Sequence, residues 1–542
     1  MTAGSPDAAR RASAAVVAAF AAVSVWFIGA FPPWANPNEV SRFESVVAMA
    51  EWRTFTIDRA VQLLGDHEDK AESGGRHYSN KAPGLAFAAY PVYRLLRLAL
   101  PPPWEGSPVA TLYLLRLLTV TSVCVVALRR FARRLADGAS HPSAPALVTA
   151  AVAFGTPFLF YSRSFFAHAF SAALLFLAWD RLRASASRTG TPFGPALAGL
   201  VAGWAAISEY TVAPLAGLLA LRAAMGPDRR RGATFVAFLA GLAVPLALLL
   251  WYDASSFGSP WILSSAREAD PAYAALARRG VFGVGAPDLR VALAYLFHPS
   301  RGALLYSPFL AWFVGGVVAW WRSGRERADC ALAAACVAVG FVAMTGYPNW
   351  HGGWSLGNRY LVPLVFFAAA PIARALATPL SRGLFVVAAS FSIAAHFALT
   401  SSFAHFPLEL TWPATAGSLW FVVRGWAAQS LGTIVGLSPA ASLAVPLLLT
   451  FAAAIPAVRA AAPATPSSGV AALAGTAAFV LALSVAPEPP YAGRLWRAGM
   501  LGAFSGQDPK RTELAAVVSE ASTPGERRRA ELAWRMWGTR RP

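Results

Sequence analysis

Charge is scarce in this chain: 13% of its residues are Asp, Glu, Lys or Arg, about half of what a soluble domain carries, while 56% are hydrophobic and the mean hydropathy is +0.48. An ordinary soluble enzyme is excluded. Lysine is scarcer still, occurring only at Lys70, Lys81 and Lys510 against a background rich in arginine, so each lysine is an exception to a strong bias. The three cysteines, Cys124, Cys330 and Cys336, fall in or beside apolar runs without metal-ligand spacing. They indicate neither a disulfide framework nor a zinc site and read as small buried hydrophobes.

Apolar runs of membrane-spanning length are abundant. Ser13 to Phe31, Ala233 to Trp251 and Ala440 to Val458 each supply the roughly 20 residues that cross about 30 Å of hydrocarbon as helix. With further spans near 108–128, 143–160, 166–182, 194–208, 211–224, 303–321, 328–345, 358–376, 383–400 and 468–486, the expectation is an all-α polytopic membrane protein, a bundle of about thirteen transmembrane helices. A net charge of +19 would suggest nucleic acid in a soluble protein. Here the arginines sit in short segments between apolar runs, so the expected partners include membrane lipids and no nucleic acid. The first run follows Arg10 and Arg11 and lacks a clear cleavage site, so it reads as an uncleaved helix whose N-terminus is cytoplasmic.

The segment 83–100 is apolar but interrupted by Arg94 and Arg97. If it crossed the membrane, the later arginine clusters would lie outside. If it lies along the interface, the clusters at 129–134, 181–188, 229–231 and 322–327 all fall inside. The second arrangement divides the chain into a transmembrane catalytic domain, 1–486, with a first outer loop at 32–107, and an extracytoplasmic tail, 487–542. Further outer segments are 252–302, 346–357 and 401–439. Asn38 to Trp52 and Thr56 to Leu64 read as amphipathic helices lying on the membrane. The tail is polar and carries no catalytic signal, which suits packing or a partner.

The first loop holds the sharpest constellation: Pro37-Asn38-Glu39-Val40-Ser41-Arg42-Phe43 after the first span, and Tyr78-Ser79-Asn80-Lys81-Ala82-Pro83-Gly84 further on. On a helix Glu39 and Arg42 share a face, and Lys81 can join them. In glycosyl transfer from a lipid phosphate the leaving group is a weakly basic anion, so the chemistry needs a base at the acceptor hydroxyl and cations at the phosphate. Glu39 fits the base, and Lys81 fits a point charge on phosphate. A plain surface ion pair is the competing reading of Glu39 and Arg42.

These elements resemble the GT-C glycosyltransferases, in particular the lipid-carrier-dependent branch that includes protein O-mannosyltransferases and aminoarabinose transferases. The likeness continues in Tyr161-Ser162-Arg163-Ser164-Phe165-Phe166-Ala167-His168, His298-Pro299-Ser300-Arg301-Gly302 with Tyr306-Ser307-Pro308, and Trp350-His351-Gly352-Gly353-Trp354-Ser355-Leu356-Gly357-Asn358-Arg359-Tyr360. It spans roughly 13–400. In the family an Asp commonly precedes or replaces the acid; here Asn38 stands before Glu39. The resemblance implies a bacterial plasma membrane enzyme that moves a monosaccharide from a polyprenyl-phosphate carrier, with inversion, to an extracytoplasmic lipid, glycan or protein acceptor. It implies Glu39 as catalytic base, Arg42 and Lys81 at the donor phosphate, and Tyr78 at the substrate.

Other expectations follow from residue type and place. Arg301 and Arg359 begin spans beside glycines and are candidates for the phosphate. Arg163 and His168 lie where two spans meet the surface, and Glu209 sits in a turn between spans, where an acid needs a partner; all three are candidate substrate contacts. Trp350 and Trp354, flanking His351-Gly352-Gly353, form a candidate sugar platform, against a plain interfacial belt, and His351 and Trp354 are candidate substrate contacts. Asp66-His67-Glu68-Asp69, with His77 nearby, reads as a solvated acidic loop rather than a metal site, and no cofactor is expected. His141, His396 and His405 read as structural. The rival functions are a lipid-linked saccharide transporter, for which internal repeats should show, and a non-catalytic relative of the GT-C enzymes.

Overall fold

The computed structural model describes residues 6–28, 36–186, 192–225, 231–280, 283–402, 406, 413–461, 467–484, 494, 496–500 and 513–533. Helix α1 (Pro6–Trp26) leads into the first loop, where α2 (Pro37–Trp52) and α3 (Asp58–Leu64) precede a hairpin, β1 (Lys70–Ser73) and β2 (Arg76–Ser79), and then α4 (Gly84–Leu96). Helix α5 (Pro108–Arg116) passes through a π turn into α6 (Ser122–Ala136); α7 (Ala144–Phe154), α8 (Phe158–Tyr161), α9 (Ala167–Ala186), α10 (Phe193–Ser208), α11 (Ala213–Ala224) and α12 (Arg231–Phe257) follow. After them come α13 (Pro271–Ala277), α14 (Leu289–Phe297), α15 (Ala303–Tyr306), α16 (Trp312–Arg322), α17 (Arg327–Thr345), α18 (Val365–Ala369) and α19 (Ile372–Ala375). The series ends with α20 (Pro379–Thr400), α21 (Ala414–Val423), α22 (Leu431–Ile434), α23 (Pro439–Ala461), α24 (Ser467–Ser484), α25 (Glu513–Ser519) and α26 (Pro524–Ala533).

Among the described residues, five helices are long and apolar enough to cross a membrane: Asp7–Trp26, Pro108–Ala136, Arg231–Phe257, Arg327–Thr345 and Pro379–Thr400. Several expected spans are instead broken. Pro157 interrupts 143–160, Pro308 interrupts 303–321, and Pro363 and Pro371 interrupt 358–376. Each proline lacks an N–H and clashes with the preceding turn, so an apolar run long enough to span becomes two shorter helical pieces. Such breaks are tolerated at membrane depth where neighbouring protein covers the freed backbone. Ser307 does so for one of them, donating to the Gly155 carbonyl at 2.7 Å.

Helix α2 departs from the expected surface helix, since every residue from Asn38 to Ala50 is buried. It is packed beneath α4 and the hairpin. Tyr93 of α4 and Arg97 just beyond its end both donate to Glu51, at 2.8 and 2.6 Å, and Arg94 donates to the Ala50 carbonyl at 3.0 Å. The 13 residues of α4 extend only about 20 Å, and both arginines serve α2. The helix within the ambiguous segment is by itself too short to cross.

Helices α10 and α12 cross in close backbone contact: a Cβ on Gly199 would lie 1.8 Å from the Phe238 carbonyl oxygen, and one on Gly241 would lie 1.9 Å from that of Ala196. At one end of the bundle Arg134, Arg183 and Arg374 converge on Glu326, at 3.3, 2.9 and 3.5 Å. Much of the tail, and the first residues of the loop at 32–35, lie outside the described residues. Within the tail, Trp496 packs on Phe406 and Phe421, with ring centroids 5.6 and 5.3 Å apart.

Candidate functional site

The site begins with the entry into α2. Asn36 caps the helix by accepting from the Asn38 amide at 2.9 Å, and Pro37 fixes its first turn. This aims Asn38, Glu39 and Arg42 inward. The Arg42 guanidinium donates to the side-chain oxygen of Asn38, and to its carbonyl at 3.2 Å. Its Nε is buried without an acceptor among the described residues. Burial, with Arg359 nearby, lowers the Arg42 pKa to about 10, so it remains a cation at neutral pH.

The hairpin supplies the next pair. Its register sets Lys70 opposite Ser79, so Asp69 and Lys81 face each other across its open end, 3.0 Å apart. Ser41 of α2 joins the two strands by donating to the Asp69 carbonyl at 2.6 Å, with Ser79 Oγ 2.8 Å away. Asp69 is not the solvated acid expected. Burial alone would raise its carboxyl, but Lys81 and Arg359 hold it below the usual range. His67, expected in the same solvated loop, is buried too, with Nε2 2.7 Å from Glu44.

Three further segments close the site. His168, at the start of α9, lies 3.0 Å from Glu209, whose carboxylate also accepts from Thr211 at 3.0 Å. Glu209 sits in the turn between α10 and α11. Burial opposes its charge, yet His168 and Arg42 hold it ionised, at about 2. Arg359 lies over the rings of Phe166 and Tyr360, 5.7 and 5.1 Å from their centroids, and donates to the Tyr360 hydroxyl at 3.1 Å. Its Nε is likewise buried without an acceptor among the described residues. Arg42, Lys81, Arg359, His168 and Glu209 are thus gathered with Asp69 into one electrostatic cluster.

Glu39 lies just behind this cluster. Its Oε1 accepts from the Phe165 amide at 2.6 Å and lies 2.9 Å from Arg116, and both side chains are almost wholly buried. Arg163 stacks on Phe27, 3.9 Å from the ring centroid, beside Arg116 rather than on the cluster. It therefore stands apart from the cluster that gathers His168 and Glu209.

Four other expected contacts are structural in position. Arg301 is buried and ties loops together by donating to the His351 and Phe406 carbonyls at 2.7 and 2.8 Å and to Ser355 at 3.1 Å. Tyr78 packs on Phe257 in a separate apolar group, whereas Lys81, beyond the end of β2, pairs with Asp69. His351 accepts from the Gly353 amide at 3.0 Å, and burial beside Arg301 pushes it down to about 4, so it is neutral. Trp354 packs against the main core. His351 is a loop anchor, and Trp350, expected with Trp354 as a platform, packs on Tyr295 and His298 with ring centroids 5.6 and 5.8 Å apart.

Arg116, Asp69 and Asn80 were not among the expected site residues. An arginine inside an apolar span, as at Arg116, is itself a signal of function or of a buried partner. Asp69 became visible only through the hairpin register.

No protein-family model and no curated protein matches the chain. Among solved structures it is similar to ArnT from Cupriavidus metallidurans bound to undecaprenyl phosphate, at 14% identity and a TM-score of 0.51, over 94% of this chain and 80% of that one. It also matches ArnT from the same organism in the apo state, at 15% identity and a TM-score of 0.47, over 87% of this chain and 75% of that one. A third match is the archaeal oligosaccharyltransferase AglB from Archaeoglobus fulgidus in complex with an inhibitory peptide and a dolichol-phosphate, at 14% identity and a TM-score of 0.40, over 89% and 57%. The likeness is one of fold: the chain is a multi-pass helical membrane protein with the fold of that undecaprenyl-phosphate-bound ArnT structure.

Proposed function

We propose that this GT-C chain is an inverting glycosyltransferase that takes a monosaccharide from a polyprenyl-phosphate carrier and passes it to an acceptor outside the cytoplasm of a bacterial cell. One observation carries the reading. Arg42 and Arg359 each bury a guanidinium Nε–H without an acceptor among the described residues, beside Lys81, in a cluster whose acids are already committed. Unanswered buried donors are costly, and a phosphate with several acceptor oxygens answers them. ArnT, whose fold the chain shares, was solved with undecaprenyl phosphate, which is consistent with a lipid phosphate here.

In this reading Lys81, Arg42 and Arg359 take the charge that grows on the departing phosphate. Glu209 and Asp69, firmly ionised, hold those cations in place. Glu39 acts as a positioning residue: its Oε1 is engaged by Arg116 and the Phe165 amide, which fixes α2 against the α8–α9 link. That differs from the base role the family resemblance implies.

The test has two arms. The purified chain in nanodiscs should be stabilised against heat by undecaprenyl phosphate, and less so as Arg359→Ala. Mass spectrometry of envelope glycans and glycolipids should show one sugar missing when the protein is absent. An envelope unchanged by its removal, with no stabilisation by the carrier, overturns the proposal.

A further inference from the structure

A cavity of about 390 Å³ opens beside the hairpin, lined by Glu72, Ser73, Arg267, Glu268, Ala274 and Arg278. Glu268 forms its inner wall and is fixed by backbone. It bridges Ala71, and the next amide, Ala269, donates to the Lys70 carbonyl at 2.9 Å. The Asn80 carboxamide donates to Glu268 Oε2 at 2.7 Å and reaches Asp69 Oδ1 at 3.5 Å; Asp69 in turn holds Lys81. One carboxamide therefore separates the cavity from the cation cluster.

We propose that this cavity is the acceptor subsite of the transfer reaction, that it takes a saccharide, and that Glu268 receives the proton of the acceptor hydroxyl. The inference rests on the donor reading above. In the step, the acceptor oxygen bonds to the anomeric carbon while the bond from that carbon to the phosphate oxygen breaks. The electron pair leaves on the phosphate facing Lys81, Arg42 and Arg359, and the hydroxyl proton passes to the Glu268 carboxylate.

The choice of carboxylate follows from the surroundings. Glu209 is too acidic a partner and Glu39 is engaged, whereas burial pushes Glu268 up to about 7, where a general base is most effective at neutral pH. The choice of a saccharide follows from the walls. Two carboxylates, two guanidinium groups and a hydroxyl line the cavity, which suits a ring of hydroxyls, and no large apolar side chain lines it for a lipid tail. An extended peptide would need a free strand edge, and β1 has β2 on one side and Glu268 on the other.

The full chain in nanodiscs is probed with an immobilised oligosaccharide array, a parallel peptide array and, separately, undecaprenyl phosphate. Wild type should retain at least one oligosaccharide. Ala274→Trp, which fills the cavity, should lose it by roughly 10-fold or more while still binding undecaprenyl phosphate, which shows that it is folded. Lys81→Ala should do the reverse. With the retained oligosaccharide as acceptor, Glu268→Gln should lower kcat about 100-fold and leave KM within about threefold. No retained oligosaccharide, retention by Ala274→Trp, capture of a peptide in its place, or wild-type turnover by Glu268→Gln overturns the inference. Failure of wild type to bind undecaprenyl phosphate instead takes down the donor reading, and the acceptor role with it, while the array still decides what the cavity binds.

Discussion

Arg116 and Glu39 are buried together, and a buried pair is expensive to break because the survivor keeps its charge without its partner. Glu39→Gln should therefore lower thermal stability, by about 3 kcal/mol on that scale, and Arg116→Met should do the same. The double variant should be less damaged than the sum of the two, a coupling that a double-mutant cycle in thermal unfolding reads directly. If Glu39→Gln is fully stable and loses only turnover, the carboxylate is the base and the positioning role fails. Lys81 offers the complementary case. Lys81→Ala should weaken undecaprenyl phosphate binding by about 2 to 5 kcal/mol, roughly 30-fold or more, and Lys81→Arg should restore part, because a planar fork replaces a compact ammonium. Equal affinity in wild type and Lys81→Ala would remove Lys81 from the site. At this scale the sequence was informative where a residue broke a compositional rule. Lys81, one of three lysines in the chain, and the acid and arginine after the first span did so. Asp69, Asn80 and Glu268 break no rule, and only the folded chain shows that they meet.

The hairpin is the element that assembles the site, and its signal was present in the sequence as Gly74-Gly75, a pair suited to a tight two-residue turn. Both glycines have positive φ, 59° and 73°, as a tight two-residue hairpin turn requires, and neither would meet a neighbour if it carried a Cβ. Replacing both with valine should therefore act through backbone strain alone, about 1 kcal/mol or more for each glycine. The loosened strands should exchange amide hydrogens faster at Ala71 and Tyr78, and undecaprenyl phosphate affinity should fall because Asp69 no longer holds Lys81. Unchanged exchange and unchanged affinity would show that α2, through Ser41, positions Lys81 without the hairpin. Elsewhere the limits of reading were set by proline. Hydropathy averages over a window and counts 303–321 as one span, whereas Pro308 divides it into α15 and α16. Helix α2 was misplaced for a related reason: its mixed charge looks like a surface helix until Glu39, Arg42 and Glu51 are seen to have partners within the protein.

At the scale of the whole molecule, the arginine clusters and the cation cluster occupy opposite ends. Helix α9 begins with His168 at the site and ends with Arg183 on Glu326, so a single helix connects the two ends. The clusters that hydropathy and charge alone assigned to one side, around Arg134, Arg183 and the α16–α17 turn, do meet in space, and Arg374 joins them. We propose, on the positive-inside rule, that this concentration of arginine lies on the cytoplasmic side of the membrane and that the proposed donor site and acceptor cavity lie on the other. The residues Gly74, at the hairpin tip, and Ser323, in the α16–α17 turn, sample the two sides. In intact cells, with Cys124, Cys330 and Cys336 buried and protected, a cysteine at Gly74 should react with an impermeant thiol reagent, and one at Ser323 should react only after permeabilisation. Labelling of Ser323 but not Gly74 in intact cells would turn the bundle over, put the saccharide cavity in the cytoplasm, and require a donor whose sugar faces inward.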